Sequence, residues 1–295
     1  MKNYCVLYNP LANNGRAEAA AHALDTLLTD GEVRYVDVAS MGSYYDFFVS
    51  CDDDCIVILT GGDGTLNHFI NDTRGLHIKQ KIYYYGAGSG NDFLNDLGLE
   101  RGAEPFDLTK YVENLPFVRI DGKEYSFINN VGFGIDGYVC EVGNRQRAEK
   151  KKAINYTAIA LRGLLFDFDP VHATVKIDGV TKEYDRVWLA PTTNGRYFGG
   201  GMKIAPDQDR LAEDGKMTFL IAHDLSRPRI ATIFPEIFKG THLRHTQYIE
   251  TYKCDEVTVR FDRPCAVQID GETISGVTEY TAYSRNAAKA RSARL

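Results

Sequence analysis

Cys55-Ile56-Val57-Ile58-Leu59-Thr60 runs directly into Gly61-Gly62-Asp63-Gly64-Thr65-Leu66-Asn67. An unbroken, β-branched apolar run is what a strand covered on both faces requires, as in a parallel sheet. Three glycines then allow backbone angles and close approaches that a Cβ forbids, and Leu66 to Asn71 reads as a helix. Strand, glycine turn and helix in that order leave backbone N–H groups at a helix N-terminus, where they cradle phosphate oxygens. Asp63 would repel a phosphate on its own; a divalent cation between the two removes the conflict. Thr65 is expected to cap the helix. The plain alternative is a glycine turn with a capping residue.

The pattern repeats on either side. Tyr4 to Tyr8 is an apolar run ending in Asn9-Pro10, Arg16 to Leu28 has helical spacing, Glu32 to Val38 reads as a strand, and Tyr44 to Phe48 as a short helix. Downstream, Lys81 to Tyr85 is a strand, followed by Gly86-Ala87-Gly88-Ser89-Gly90-Asn91-Asp92-Phe93 and a helix from Asp92. Such alternation predicts an α/β domain with a doubly wound parallel sheet over residues 1–115. Open sheets of this kind bind ligands at the carboxyl ends of their strands. Ser89 and its loop amides are therefore expected on phosphate or ribose, and Asp92 beside Asp63 near the cation. Arg16 either neutralises a phosphate or is a solvated helix arginine.

After Pro116 the texture changes to short strands separated by Asp121-Gly122, Asp178-Gly179 and Asp270-Gly271, dipeptides suited to tight hairpins. Expected strands are Lys123 to Val131, Val171 to Ile177, Arg186 to Ala190, Met217 to Ile221, Glu256 to Phe261 and Cys265 to Ile269. They predict an antiparallel β-sandwich or barrel over 116–275, interrupted by a helical segment from Tyr138 to Phe166. Residues 276–295 are expected to form a last strand and return to the first domain, with a basic, Ala-rich end. Gly132-Phe133-Gly134-Ile135-Asp136-Gly137 fits the dinucleotide fingerprint G-x-G-x-x-G, but position 157 is threonine where an acid is wanted. A sharp turn into a helix is the preferred reading, and a dinucleotide oxidoreductase would rest on this string alone. No Walker A string occurs. Leu211-Ala212-Glu213-Asp214-Gly215-Lys216, with a carboxylate flanked by turn carbonyls, fits a hard-cation site or a plain loop. Gln268-Ile269-Asp270-Gly271-Glu272, taken alone, is a hairpin turn with surface acids.

The 295 residues suffice for two domains. With 34 Lys and Arg against 40 Asp and Glu the net charge is −6, which disfavours a general nucleic-acid binder. No apolar run reaches roughly 18 residues, so no spanning helix is expected, and the start breaks too early for a signal peptide. A cytoplasmic protein is expected. Six cysteines are spread widely without C-x-x-C pairs. Cys51 and Cys55 flank three aspartates, nothing local adds further soft ligands, and buried free thiols are the reading preferred over zinc. Arg145, Arg147, Lys150, Lys151 and Lys152 precede the apolar stretch Ile154 to Phe166, as in an interfacial helix that touches a membrane transiently or a helix packed on the sandwich.

Asn9-Pro10, Gly61 to Thr65, Gly88 to Phe93, Met202-Lys203-Ile204-Ala205-Pro206 after three glycines, and Asp270-Gly271-Glu272 occur here in an order that resembles the bacterial soluble lipid kinases of the diacylglycerol kinase catalytic-domain superfamily. The first string alone is shared with NAD kinases and phosphofructokinases. The resemblance spans about Asn3 to Glu272. It implies a nucleotide-binding α/β domain, a C-terminal β-sandwich and a site in the cleft. It implies ATP held by Asn9, Pro10, Asn13, Arg16, Gly61, Gly62, Asp63, Gly64, Thr65, Leu66, Asn67, His68, Ser89 and Asn91, with Mg2+ on Asp63 and Asp92. It implies that Asp270 and Glu272 are the catalytic carboxylates, Glu272 being the favoured base. It implies a second, structural Mg2+ or Ca2+ on Asp214 with the Leu211 and Lys216 carbonyls, although Gln208-Asp209-Arg210 lengthens that loop relative to the usual pattern. The acceptor is then the hydroxyl of diacylglycerol or a related lipid alcohol at a membrane surface. The alternatives are a kinase for a soluble acceptor such as NAD and a non-catalytic nucleotide- or lipid-binding module. Oligomeric state leaves no signature; a homodimer is compatible with the sequence.

Overall fold

The computed structural model describes residues 2–10, 12, 16–88, 90–149 and 154–292. Asn13, Ser89 and Lys150 to Lys152 lie outside them. The chain divides into two compact units, Met1–Asn114 and Leu115–Leu295.

The first unit alternates strand and helix: β1 (Lys2–Tyr8), α1 (Ala17–His22) with a 3-10 turn after it, β2 (Gly31–Asp37), α2 (Tyr44–Ser50), β3 (Ile56–Gly61), α3 (Asp63–Asp72), β4 (Lys81–Gly86), α4 (Asp92–Leu97), β5 (Phe106–Asp107) and α5 (Thr109–Val112). The sheet order is β2-β1-β3-β4-β5, parallel except for the short edge strand β5. Both faces of the central strands are buried, which is why β3 reads as a continuous apolar run. On one face Tyr4, Val6 and Ile58 pack with Ala21 and Leu24 of the α1 region. On the other, Tyr84 meets Phe93 of α4 edge-to-face, with ring centroids 5.7 Å apart. Helices therefore cover both faces of a doubly wound sheet. Its carboxyl-terminal edge carries the turns after Tyr8, Gly61 and Gly86.

The second unit consists of β6 (Phe117–Ile120), β7 (Lys123–Ser126), β8 (Asn130–Gly134), α6 (Ile135–Ala148), α7 (Tyr156–Arg162) running into a π-helical turn (Gly163–Asp167), β9 (Val171–Ile177), β10 (Val180–Val187), β11 (Leu189–Thr193), β12 (Met217–Ala222), α8 (Arg227–Ile237), β13 (Ile249–Cys254), β14 (Glu256–Ile269), β15 (Glu272–Tyr283) and α9 (Arg285–Ser292). The strands run β13-β12-β11-β8-β14-β15-β6-β7, and β9 pairs with both β10 and β14. β14 holds the architecture together. Its first half pairs with β9 and its second half with β8, while β15 stays beside it along its length. Val257, Val259, Phe261, Val267 and Ile269 alternate into one core with Phe133, Val175, Phe219 and Tyr280.

Several expectations change here. Lys123 to Val131 is two strands, β7 and β8. Glu256 to Phe261 and Cys265 to Ile269 are one strand, because register shifts around Cys265 absorb the Asp262-Arg263-Pro264 interruption. The Tyr138 to Phe166 segment is two helices, and Asn155 starts the second by accepting the Ala158 N–H at 2.9 Å. Residues 276–295 belong to the second unit rather than returning to the first: β15 pairs with β14 and β6, and the Arg285 Nη2 donates to the Ala212 carbonyl at 2.5 Å. The G-x-G-x-x-G string is a turn into α6. β8 is antiparallel to both β11 and β14, so no βαβ unit exists for a dinucleotide. The three Asp-Gly turns have positive φ at both residues, as two-residue type I′ hairpins demand.

Candidate functional site

In the first unit the two glycine loops interlock. The Ala87 and Gly88 N–H groups donate to the Gly61 carbonyl at 2.9 and 3.1 Å, and the Tyr84 hydroxyl donates to the same oxygen at 3.0 Å. Burial, with the Asp63 carboxylate nearby, holds the Tyr84 phenol well above its usual pKa, so it remains a donor. A Cβ on Gly88 would lie 2.3 Å from the Gly62 Cα, so this approach demands glycine. Among the described residues, a Cβ on Gly64 would meet no heavy atom within 4 Å outside its own helix. Asp63 starts α3, and its carboxylate reaches across to α4, accepting the Asp92 N–H at 2.7 Å and the Phe93 N–H at 3.1 Å. Asn91 donates to the Gly88 carbonyl at 2.9 Å, while its buried Oδ1 accepts no hydrogen bond. Asp92 is buried at the start of α4.

Other expected ligands fall elsewhere. Thr65 does not cap α3: Gly62 is the N-cap, and Thr65 is buried inside the first turn. Leu66 is fully buried and gives its N–H to the Gly62 carbonyl at 3.1 Å, so it packs the helix underside instead of meeting a ligand. Asn67 is also buried, and its carbonyl accepts the Asn71 amide at 3.0 Å. The Asn9 carbonyl accepts the Ala12 N–H at 2.9 Å in the turn with Pro10, and Arg16 is exposed at the N-cap of α1.

In the second unit the Asp270-Gly271 turn separates two acids with different tasks. The Asp270 carboxylate accepts three backbone N–H groups, from Ile128 at 2.7 Å, Asn129 at 2.8 Å and Asn130 at 2.9 Å. It therefore anchors the strand β8 entry. Glu272, opposite Ile269 across the turn, is exposed. Beneath the turn lies Asp136, which the sequence reading passed over as part of a discounted string. It is buried on the first turn of α6, and burial pushes its pKa up to about 6. Gln268 links the two, donating to the Asp136 Oδ2 at 3.1 Å and accepting the Gly271 N–H at 2.9 Å.

Gln208 and Arg210, expected as a loop insertion, are buried anchors. Arg210 donates to the Ile128 carbonyl and the Asn129 Oδ1, both at 3.0 Å, and Gln208 accepts the Thr218 hydroxyl at 2.6 Å. Nearby, Asp214 Oδ1 accepts the Lys216 N–H at 3.1 Å, and Leu211 donates its N–H to Asp209 at 2.8 Å. The carbonyls of Ala212 and Asp214 accept hydrogen bonds from Arg285 and Asn286 of α9.

The family model "YegS C-terminal NAD kinase beta sandwich-like domain" matches residues 129–285, just over half of the chain, and the model "Diacylglycerol kinase catalytic domain" matches residues 3–118. The chain belongs to the diacylglycerol kinase-like lipid kinases. It is thus a phosphotransferase with an alcohol group as acceptor. Among curated relatives, it is 29% identical to the diacylglycerol kinase of Mycobacterium tuberculosis strain H37Rv over 250 residues, covering 80% of this chain and 78% of the relative. It is 24% identical to the diacylglycerol kinase of Bacillus subtilis over 224 residues, covering 74% and 71%. A diacylglycerol kinase crystal structure from Bacillus anthracis str. Sterne shares the fold, with a TM-score of 0.64 and 18% identity over 96% of this chain and 95% of that one. Yeast NADH kinase shares it more distantly, with a TM-score of 0.50 and 9% identity over 97% and 82%.

Within this lipid kinase the interlocked loops fit a nucleotide phosphate. The fit rests on the open space before Gly64 and on the α3 N-terminus, whose dipole favours an anion. Asp63 and Asp92 supply the hard oxygen donors a divalent cation takes.

Proposed function

We propose that the protein transfers the γ-phosphoryl group of ATP to the hydroxyl of diacylglycerol or a closely related lipid alcohol. The observation that carries this reading is the pair of glycine loops locked together at Gly62 and Gly88, with Gly64 opening onto free space. Amides around Gly62 to Thr65 hold phosphate oxygens, and Asp63 and Asp92 hold Mg2+. When bound, Mg2+ offsets the phosphate charge and steadies the leaving diphosphate. Asp63 orients the α4 N-terminus as well. Glu272 accepts the proton of the lipid hydroxyl as that oxygen bonds to the γ-phosphorus and ADP departs, an effect of about 10²–10⁴-fold. Asp270, committed to three backbone amides, positions the turn instead. The second structural cation is not part of this proposal.

The acceptor has to be met at a bilayer. No helix among the described residues is long and apolar enough to cross one. Leu161, Leu165 and Phe166, the last 73% exposed, form an apolar patch on α7 and its π-helical turn, and Arg145 and Arg147 lie in the last turn of α6. That pairing suits shallow insertion into an anionic surface, each basic residue adding about 1 kcal/mol.

The test supplies labelled ATP and Mg2+ with diacylglycerol in mixed micelles and, separately, soluble NAD. Phosphatidic acid, abolished by Glu272→Gln and by chelation, is expected. Label transfer to NAD with none to lipid would reassign the acceptor.

A further inference from the structure

Cys5 in β1, Cys51 at the C-cap of α2 and Cys55 just before β3 come together in the first unit, although 46 and 50 residues of chain separate Cys5 from the other two. The Sγ of Cys5 lies 3.9 Å from that of Cys51 and 3.3 Å from that of Cys55, and all three lie within 4.8 Å of one another. Among the described residues this is the sole group of three or more His, Cys, Asp or Glu donors so placed. All three are buried, with 3% to 8% of their surface exposed, and none is in a disulfide.

We propose that these three cysteines form a binding site for a soft, thiophilic metal ion. A metal–sulfur bond of about 2.3 Å places thiolates roughly 3.8–4.0 Å apart around a tetrahedral or trigonal centre; the Cys5–Cys51 pair matches this at 3.9 Å, and the Cys5–Cys55 pair, at 3.3 Å, has to open by about 0.5 Å to hold the ion. Soft sulfur-only donor sets select ions such as Cu(I) and Zn2+ over hard cations. Among the described residues no carboxylate joins the group; Asp52, Asp53 and Asp54 are exposed on the intervening turn.

The scaffold is built rather than incidental. Cys51 donates its N–H to the Phe47 carbonyl at 3.0 Å, and Cys55 donates to the Asp52 carbonyl at 3.0 Å, so the turn is closed at both cysteines. The buried Gln80 amide then donates to the carbonyls of Phe48 at 3.2 Å, Cys51 at 2.8 Å and Asp52 at 3.4 Å. Cys5 is fixed independently by its place between β2 and β3. Burial pushes the Cys51 and Cys55 thiols up, so without metal they are protonated and poorly reactive. At about 3.3 Å per residue of β3, Cys55 lies about 20 Å from the Gly61 loop, and Cys5, opposite Val57, about 13 Å from it, both toward the other end of the strand. The site is therefore independent of the kinase reading.

The experiment uses the full chain, reduced and metal-stripped under argon. It is titrated with Cu(I) against a chromophoric Cu(I) chelator, and separately with Zn2+ against a zinc dye. One equivalent of at least one ion is expected, with X-ray absorption showing three sulfurs at about 2.2–2.3 Å. Cu(I) alone would indicate three-coordination, and Zn2+ with one added oxygen or nitrogen a tetrahedral centre; either supports the site. Cys5→Ser, Cys51→Ser and Cys55→Ser are each expected to weaken binding beyond the roughly 10–100-fold of an outer-shell loss, while Cys254→Ser binds as wild type. Absence of stoichiometric uptake of both ions, a shell with fewer than three sulfurs, or uptake unchanged in all three variants would reduce the cluster to packed thiols. If a serine variant fails to fold, the wild-type coordination shell decides.

Discussion

Replacing Asp136 with asparagine is expected to stabilise the second unit at neutral pH and to leave it unchanged in acid. The carboxyl is buried on α6, and its pKa rises from the usual 3.8 to about 6 on folding. Burial is the main cause; the Gln268 hydrogen bond works against it. The folded state therefore binds more protons than the unfolded state between these two values, and wild-type stability falls as pH rises through them. A gap of about two pH units corresponds to ~3 kcal/mol, complete by pH 7 and nearly absent below pH 4. An asparagine keeps an oxygen for Gln268 and carries no charge to desolvate. Trp188, the chain's one tryptophan, is fully buried in the second unit, so its fluorescence during urea unfolding reads that unit directly. The difference between Asp136→Asn and wild type should grow by ~3 kcal/mol from pH 4 to pH 7. A difference that stays flat, or shrinks with pH, would refute the assignment of a desolvated carboxyl beneath the Asp270-Gly271 turn.

Four further outcomes follow from the same geometry. Asp63→Ala should cost at least roughly 10²-fold in turnover, typical of removing one electrostatic element, and should also lower the melting temperature, because the Asp92 and Phe93 amides lose their acceptor. Gly88→Ala forces a Cβ against the Gly62 backbone and should abolish ATP binding in an equilibrium assay, whereas Gly64→Ala should melt no lower than wild type, so any affinity it loses belongs to the nucleotide. Asp270→Asn can leave its Oδ1 on the Asn129 and Asn130 amides but turns an NH2 toward the Ile128 N–H, and should destabilise the second unit by at least the ~1.5–3 kcal/mol of one charge-assisted bond. Glu272→Gln should unfold like wild type and lose about 10²–10⁴-fold in turnover.

Much of this was legible in the sequence because the same residues serve the backbone and the site. The β3 run and its glycines announce a buried strand meeting a helix. The Asp-Gly pairs announce hairpins because a type I′ turn needs positive φ twice, and Asp121, Asp178 and Asp270 supply it with their glycines. What escaped depends on contacts between distant segments. Cys5 meets Cys51 and Cys55 only because β1 lies beside β3, which no spacing encodes. Asp262-Arg263-Pro264 resembles a turn, yet β15 remains paired around it, so β14 continues. Gln208 and Arg210 resemble an inserted surface loop, but their partners, Thr218 and the Ile128–Asn129 segment, are found only after folding. Asp136 was hidden by a fingerprint whose topology fails.

Asp63 and Asp270 share a logic that complicates any signature-based reading. Each carboxylate ties down backbone amides of a segment far away in the chain, so folding alone would give reason to keep both. A loss of activity at either position therefore mixes chemistry with architecture. Gly64 does not share this ambiguity. Its φ is not left-handed, no atom of the described residues beyond its own helix crowds the place of its missing Cβ, and a glycine inside a helix costs about 1 kcal/mol relative to alanine. Neither packing nor backbone geometry in this unit calls for glycine there. The demand that remains is a ligand lying against the α3 backbone. Gly64→Ala is thus the substitution that separates a phosphate cradle from a mere turn: an undiminished melt with weakened ATP binding supports the cradle, and unchanged binding would leave the loop a structural bend.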